Sequence, residues 1–278
     1  MKLTQEAIVH FQELLWQKAS ELYRDMPWRS DTQPYFVLVS EIMLQQTQVP
    51  RVKVKFEEFM TRFPTIATLA NAPLADVLTV WSGLGYNRRA KYLHEAAKKI
   101  VEQFNGDIPD SHDQLVQLPG VGPNTAGALL AYSFNQPSLF IETNIRTVVF
   151  HHFFNDRVDV NDREVKEALE QVVDYEHPRE FYWAMMDYGS WLKQQGAGGI
   201  DRSKHYKKQA PLKGSVREVR GRILKILATG DFTESELKGQ LETWTSIDER
   251  YEKAIEGLLT DGLIKRAGEK SGRFHLTR

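Results

Sequence analysis

The feature that most restricts how this chain can fold is a helical periodicity cut into short lengths by proline. Apolar residues recur at intervals of three and four, as in Ile8, Phe11, Leu14, Leu15, Ala19 and Leu22, which draws one apolar stripe along a helix. Pro27, Pro34, Pro64, Pro73, Pro109, Pro119 and Pro137 fall between such segments. A ring that locks φ and removes a donor ends one helix and lets another begin. Thr65 and Ser111 stand where their hydroxyls could cap a following helix. Strand-like alternation is scarce before residue 193, so the pattern predicts an all-helical domain over residues 1–193 with short connections.

The periodicity breaks over 194–214, where Gly196, Gly198, Gly199 and Pro211 lie among basic residues, and this stretch reads as a basic linker. A second domain is expected over 215–278. Helices are predicted from Val216 to Leu227, Glu234 to Leu241 and Asp248 to Leu259. Two short strands, Leu263–Lys265 and Phe274–Leu276, follow around a turn at Gly268 to Gly272. Three helices closed by a β-hairpin describe a winged helix. The expected class is therefore mainly α with a small α+β domain at its end.

Composition narrows the chemistry. Without cysteine there can be no disulfide, thiolate zinc site or cysteine-held iron-sulfur cluster, so no cofactor and no metal are expected. His151 and His152 are adjacent and would diverge on a helix. No apolar run is long enough for a membrane span, and the N-terminus enters a helical pattern directly, which fits a cytoplasmic protein with no membrane partner, nucleoid-associated if bacterial. The formal charge of -1 hides a segregation: residues 202–225 hold nine Lys or Arg against the single acid Glu218, while 156–176 hold eight acids against three bases. Such a chain can offer a positive face to DNA while nearly neutral overall.

The most informative short segment runs from Leu118 through Gly127. Gly120 and Gly122 flank Val121 and permit a tight turn that leaves N–H groups, Thr125 among them, at the start of a helix, where they can grip a phosphate. Contact through main chain positions a strand without reading its sequence. A plain helical hairpin with a glycine turn would carry the same residues. The second segment is Ser40-Glu41-Ile42-Met43-Leu44-Gln45-Gln46-Thr47, with a carboxylate at the head of an apolar stretch; taken alone, Glu41 reads as a helix-start acid.

Taken in order, Pro27-Trp28-Arg29, Ser40 to Thr47, Gly83-Leu84-Gly85-Tyr86 and Leu118 to Gly122 resemble the endonuclease III superfamily of helix-hairpin-helix DNA glycosylases. Among these the chain is most similar to adenine glycosylases of the MutY type, over roughly residues 5–192. The resemblance implies two helical lobes, double-stranded DNA with a mismatched or damaged base as partner, a nucleotide flipped out of the stack, and hydrolysis of its base–sugar bond. By position Glu41 matches the acid that protonates the leaving base. Glu142 stands where the family carries an aspartate that stabilises the cationic sugar, and Asn144 matches an asparagine of the adenine glycosylases. Gln46 and Tyr86 match residues wedged into the duplex, and Arg24, Trp28, Arg29 and Asn124 are expected around the base.

Three departures qualify the likeness. Members that also cut the backbone carry a lysine where this chain has Asn124, so a monofunctional glycosylase is expected, although adenine glycosylases typically show Ser or Tyr there. Glu142 is longer than Asp by about 1.5 Å. Lys193 stands where the first cluster cysteine would, and the winged helix replaces a domain that senses 8-oxoguanine. Adenine opposite G or 8-oxoguanine is the favoured substrate. Thymine or uracil opposite G, or binding without catalysis on the same scaffold, are the competing readings. The acidic third helix of the winged domain favours bracing over groove entry.

Overall fold

A computed structural model describes residues 2–155, 157–199, 211–242, 249–267 and 272–278. Helices run through the first part of the chain as the periodicity predicts. Twelve helices run in order: α1 (Gln5–Leu22), α2 (Pro27–Ser30), α3 (Pro34–Leu44), α4 (Val49–Arg62), α5 (Ile66–Asn71), α6 (Leu74–Trp81), α7 (Arg88–Phe104), α8 (His112–Leu115), α9 (Pro123–Phe134), α10 (Thr143–Phe153), α11 (Asp162–Val172) and α12 (Pro178–Gln194). Prolines open α2, α3, α9 and α12, where a missing N–H is harmless. Thr65 caps α5 through a reciprocal capping box, whereas Ser111 occupies the cap position of α8 without a side-chain bond. None of the described helices is long and apolar enough to cross a membrane.

The chain gathers into two compact units. The first holds α1, α2, α3 as far as Glu41, and α8 to α12. Its core is α9, buried continuously from Ala126 to Tyr132, with the inward face of α12 that includes Phe181, Met185, Tyr188 and Leu192. The Phe140 and Tyr182 rings meet at 4.2 Å, and Tyr182 Oη donates to Ser138 O at 2.5 Å. Gly189 lets α12 approach α10: a Cβ there would lie 2.2 Å from Asn144 O.

The second unit holds the rest of α3 from Ile42, α4 to α7, the segment Leu118–Gly120, and the C-terminal elements. In α7 the buried residues Arg89, Leu93, Ala96, Ala97 and Ile100 form one stripe. The C-terminal elements are α13 (Val216–Leu227), β1 (Phe232–Thr233), α14 (Glu234–Glu242), α15 (Glu249–Thr260), β2 (Ile264–Ala267) and β3 (Arg273–Leu276), with an antiparallel sheet ordered β1-β3-β2. Phe274 faces both neighbours, opposite Phe232 and Arg266, and is buried with Ile264, Leu258 and Ile223. This is the expected winged-helix arrangement with one strand added. The two-residue β1 was too short to show alternation. The basic residues at 202–208, the position Asp248 and most of the turn at 268–272 lie outside the described residues.

Candidate active site

In the first unit the sequence brings two carboxyl groups together, Glu41 buried and Glu142 half-buried. Glu41 is 8% exposed and is not at a helix start: it is the eighth residue of α3, three before its end. Pro34 begins that helix well upstream of the apolar run from which a start was expected. Near a helix C-terminus the backbone dipole opposes an anion. Glu142 does stand at the N-cap of α10, yet its side chain makes no capping bond; it is instead hydrogen-bonded with Glu41.

The pair divides its labour electrostatically. Burial pushes the Glu41 carboxyl well above the ordinary range, the charge and hydrogen bond of Glu142 push further the same way, and Arg29 opposes them. Burial also raises Glu142, but the hydrogen bond from Glu41 draws it back down. Two like charges side by side disfavour each other, so burial and the neighbouring carboxylate both favour the protonated form of Glu41. Tyr132 of α9 completes the group. Its hydroxyl is held protonated by burial first and then by the charges of Glu142 and Glu41.

Arg29 is fixed by Asp187 of α12. Its Nη1 and Nη2 donate to Oδ2 and Oδ1 at 2.6 and 3.0 Å, and Arg24 Nε donates to Oδ1 at 2.6 Å. The Arg29 guanidinium also lies over the rings of Tyr23 and Trp183, at 5.5 and 5.3 Å. Trp28 is buried beside it in α2. Asn124, expected around the base, commits its amide elsewhere: Nδ2 donates to Ile141 O at 3.0 Å and Oδ1 accepts from Ile141 N at 3.2 Å. It clamps the backbone that precedes Glu142. Asn144 is the second residue of α10, and its Oδ1 is buried without a protein donor. Among the described residues no three His, Asp or Glu side chains gather as a metal would require. His152 is held neutral by burial, down to about 4, and bonds Tyr188 Oη at 3.0 Å.

The hairpin residues behave as their types suggest. Gly120 adopts φ +80, and a Cβ there would stand 2.9 Å from Tyr92 Cβ. Val121 is buried, and Gly122 is the N-cap of α9, with Pro123 behind it and no side chain capping the helix. Thr125 follows in the first turn.

In the second unit, Gln46 and Tyr86 each sit in a tight turn with left-handed backbone, φ +57 and +47. For such residues that conformation costs about 1–2 kcal/mol and needs outside support. Arg89 supplies it. Its Nη1 donates to the carbonyls of Ile42, Met43 and Gln45 at 2.8, 2.8 and 2.6 Å. Its Nη2 donates to Thr47 Oγ1, Leu84 O and Gly85 O at 2.9, 3.3 and 3.1 Å. One guanidinium, only 7% exposed, therefore ties both turns together. Burial lowers its pKa to about 10, which still leaves it charged at neutral pH.

Sequence reasoning missed Asp187, Tyr132 and Arg89. Each had a faint signal, a polar group on a buried stripe: Arg89 shares its stripe with Leu93, Ala96 and Ile100, and Asp187 lies one turn from Ala184.

Residues 39–174 match the family described as HhH-GPD superfamily base excision DNA repair protein. The chain is 34% identical over 286 residues to an adenine DNA glycosylase of Mycobacterium tuberculosis (strain CDC 1551 / Oshkosh), covering 95% of this chain and 91% of that protein. It is 36% identical over 191 residues to an adenine DNA glycosylase of Mus musculus, covering 60% of this chain and 35% of that one. Its fold is similar to that of a thermostable thymine-DNA glycosylase, with TM-score 0.63 at 22% identity over 72% of this chain and 95% of the other. It is also similar to endonuclease III in a trapped DNA covalent intermediate, with TM-score 0.60 at 20% identity over 76% and 92%.

Proposed function

The chain belongs to the HhH-GPD superfamily of base excision DNA repair proteins, and on that premise we propose that it is a monofunctional DNA glycosylase that excises adenine opposite G or 8-oxoguanine. The observation that carries the reading is the pairing of the Glu41 and Glu142 side chains, with burial and Glu142 both raising the Glu41 carboxyl. Glycosidic hydrolysis needs an acid for the leaving group and an anion for the cationic sugar. A buried glutamate beside a half-buried one can supply one of each from two identical residue types.

In this reading the base is turned out of the stack, because its bond to the sugar is unreachable within a duplex. Glu41 delivers its proton to a ring nitrogen of the adenine as the C1′–N bond breaks and the bonding pair leaves with the base. Glu142 stabilises the positive charge that develops on the sugar and takes a proton from the water that adds to C1′. Asn144, whose Oδ1 needs a donor, is suited to hold that water. Arg29, locked by Asp187, draws the Glu41 carboxyl partly back down. The hairpin at Gly120–Gly122 holds a phosphate, and Gln46 and Tyr86 enter the duplex as wedges. Asn124 offers no amine, so no Schiff base forms there. The choice of adenine rests on the relatives' activity.

Purified protein incubated with duplexes carrying A·8-oxoG, A·G, T·G, U·G or hypoxanthine, then treated with alkali, tests this directly. Cleavage is expected for the two adenine mispairs, with no borohydride-trapped adduct. Glu41→Gln should lower single-turnover excision by about 10²–10⁴ while DNA binding persists. Absence of alkali-labile product in every duplex sinks the reading.

A further inference from the structure

The winged helix touches the wedge. Arg217, the second residue of α13, donates from Nη1 to the Tyr86 hydroxyl, and its guanidinium lies 5.3 Å from the Tyr86 ring centroid. Arg89 lies 5.6 Å from the same centroid. The phenol is thus held by two cations, one rooted in α7 and one in α13. A second set of bonds fixes α13 to this place: Arg220 of α13 and Arg88 of α7 both bond the Asp261 carboxylate, and Lys91 Nζ donates to Asp261 O at 2.8 Å. The Asp261 carboxylate is only 6% exposed, and both arginines hold it below its usual range against the pull of burial.

An aromatic wedge works only if its ring keeps one orientation while the bases it parts push back. A tyrosine has several rotamers open to it, and ordering the ring at the moment of insertion opposes flipping. Tyr86 already sits on a strained turn that Arg89 supports from below. Nothing in the turn itself fixes the far end of the phenol. Arg217 does, through its hydrogen bond and its position at the ring.

We propose that Arg217 is a positioning residue for base extrusion, through which the winged helix sets the wedge Tyr86. The domain then takes part in opening the duplex in addition to bracing its neighbours. This rests on the wedge reading of Tyr86, and the test separates the two.

The full chain is bound to an A·8-oxoG duplex with 2-aminopurine beside the 8-oxoguanine, so that emission reports local unstacking, and single-turnover excision is measured in parallel. Arg217→Met, which keeps the length and removes the cation, should suppress the rise in emission and slow excision about five- to tenfold. Arg217→Lys, which keeps the charge, should recover part of both. Tyr86→Phe combined with Arg217→Met should be no slower than the slower single variant, since both remove one contact. Asp261→Asn, which loosens the anchor of α13, should lower the melting temperature and weaken the emission rise less than Arg217→Met does.

Failure has two separable forms. If Tyr86→Ala leaves emission and rate unchanged, the wedge reading falls and this inference with it. If Tyr86→Ala is impaired while Arg217→Met behaves as the parent, only the positioning role falls.

Discussion

The carboxylate pair and the wedge turns treat polar groups in opposite ways. At Glu41 and Glu142 a buried and a half-buried acid face each other, and burial and like charge raise the Glu41 carboxyl above its ordinary range. At Gln46 and Tyr86 one guanidinium satisfies five carbonyls and a hydroxyl, so the backbone is pinned in a conformation that it would not choose. Under-compensation creates reactivity. Saturation creates stiffness, and parting stacked bases calls for stiffness.

The strongest way to break this contrast is Arg89→Met. Leaving buried carbonyls without donors and releasing two strained turns should cost about 3–5 kcal/mol. Denaturant midpoints would register it, and an unchanged midpoint would mean that the turns support themselves. Next comes Glu142→Asp, which restores the residue type of the wider family in a backbone fitted to Glu. The shortened side chain should lose Glu41 and slow single-turnover excision by roughly a hundredfold. A faster enzyme would instead show that the pair is over-close.

A subtler probe uses pH. A carboxyl whose pKa is raised on folding binds its proton more tightly in the folded chain, so stability falls as pH climbs from the ordinary glutamate value of 4.5 toward the raised one. Glu41→Gln removes that penalty. The inactive variant should therefore melt above the parent at pH 8, on the order of 1 kcal/mol or about 2–4 °C. The advantage should shrink as pH approaches 4.5. A constant difference across pH would contradict the buried-acid assignment. The smallest effect is expected for Asn124→Ala. Loss of two bonds at an exposed amide should cost under about 1 kcal/mol in stability, while the freed Ile141 backbone lowers the excision rate several-fold.

Much of the molecule was legible in its sequence, and the illegible parts share a cause. Helix α13 spans the predicted residues, and the proline breaks fall between helices, because propensity and stripe periodicity are local. The Glu41 and Glu142 candidates came from motif order. Their mutual contact did not, since it joins residues about a hundred positions apart. Arg29 and Asp187 are 158 apart, and Arg89 sits in Asn87-Arg88-Arg89-Ala90-Lys91, which reads as a solvated helix start. Asn124 shows the limit of motif transfer. Its position marked chemistry, but its side chain serves the backbone of Ile141.

Gly189 closes a route of change. The backbone of Asn144 occupies the space that any side chain at 189 would need, with its oxygen 2.2 Å from where a first carbon would go. Every missense change at that codon adds such a carbon. The helix that presents Glu142 and Asn144 would have to retreat, and neither side chain could then keep its reach. Laboratory libraries and natural drift should both find position 189 silent in the literal sense, varied only by synonymous codons. Selection for catalysis is thereby imposed on a residue with no atoms to offer it.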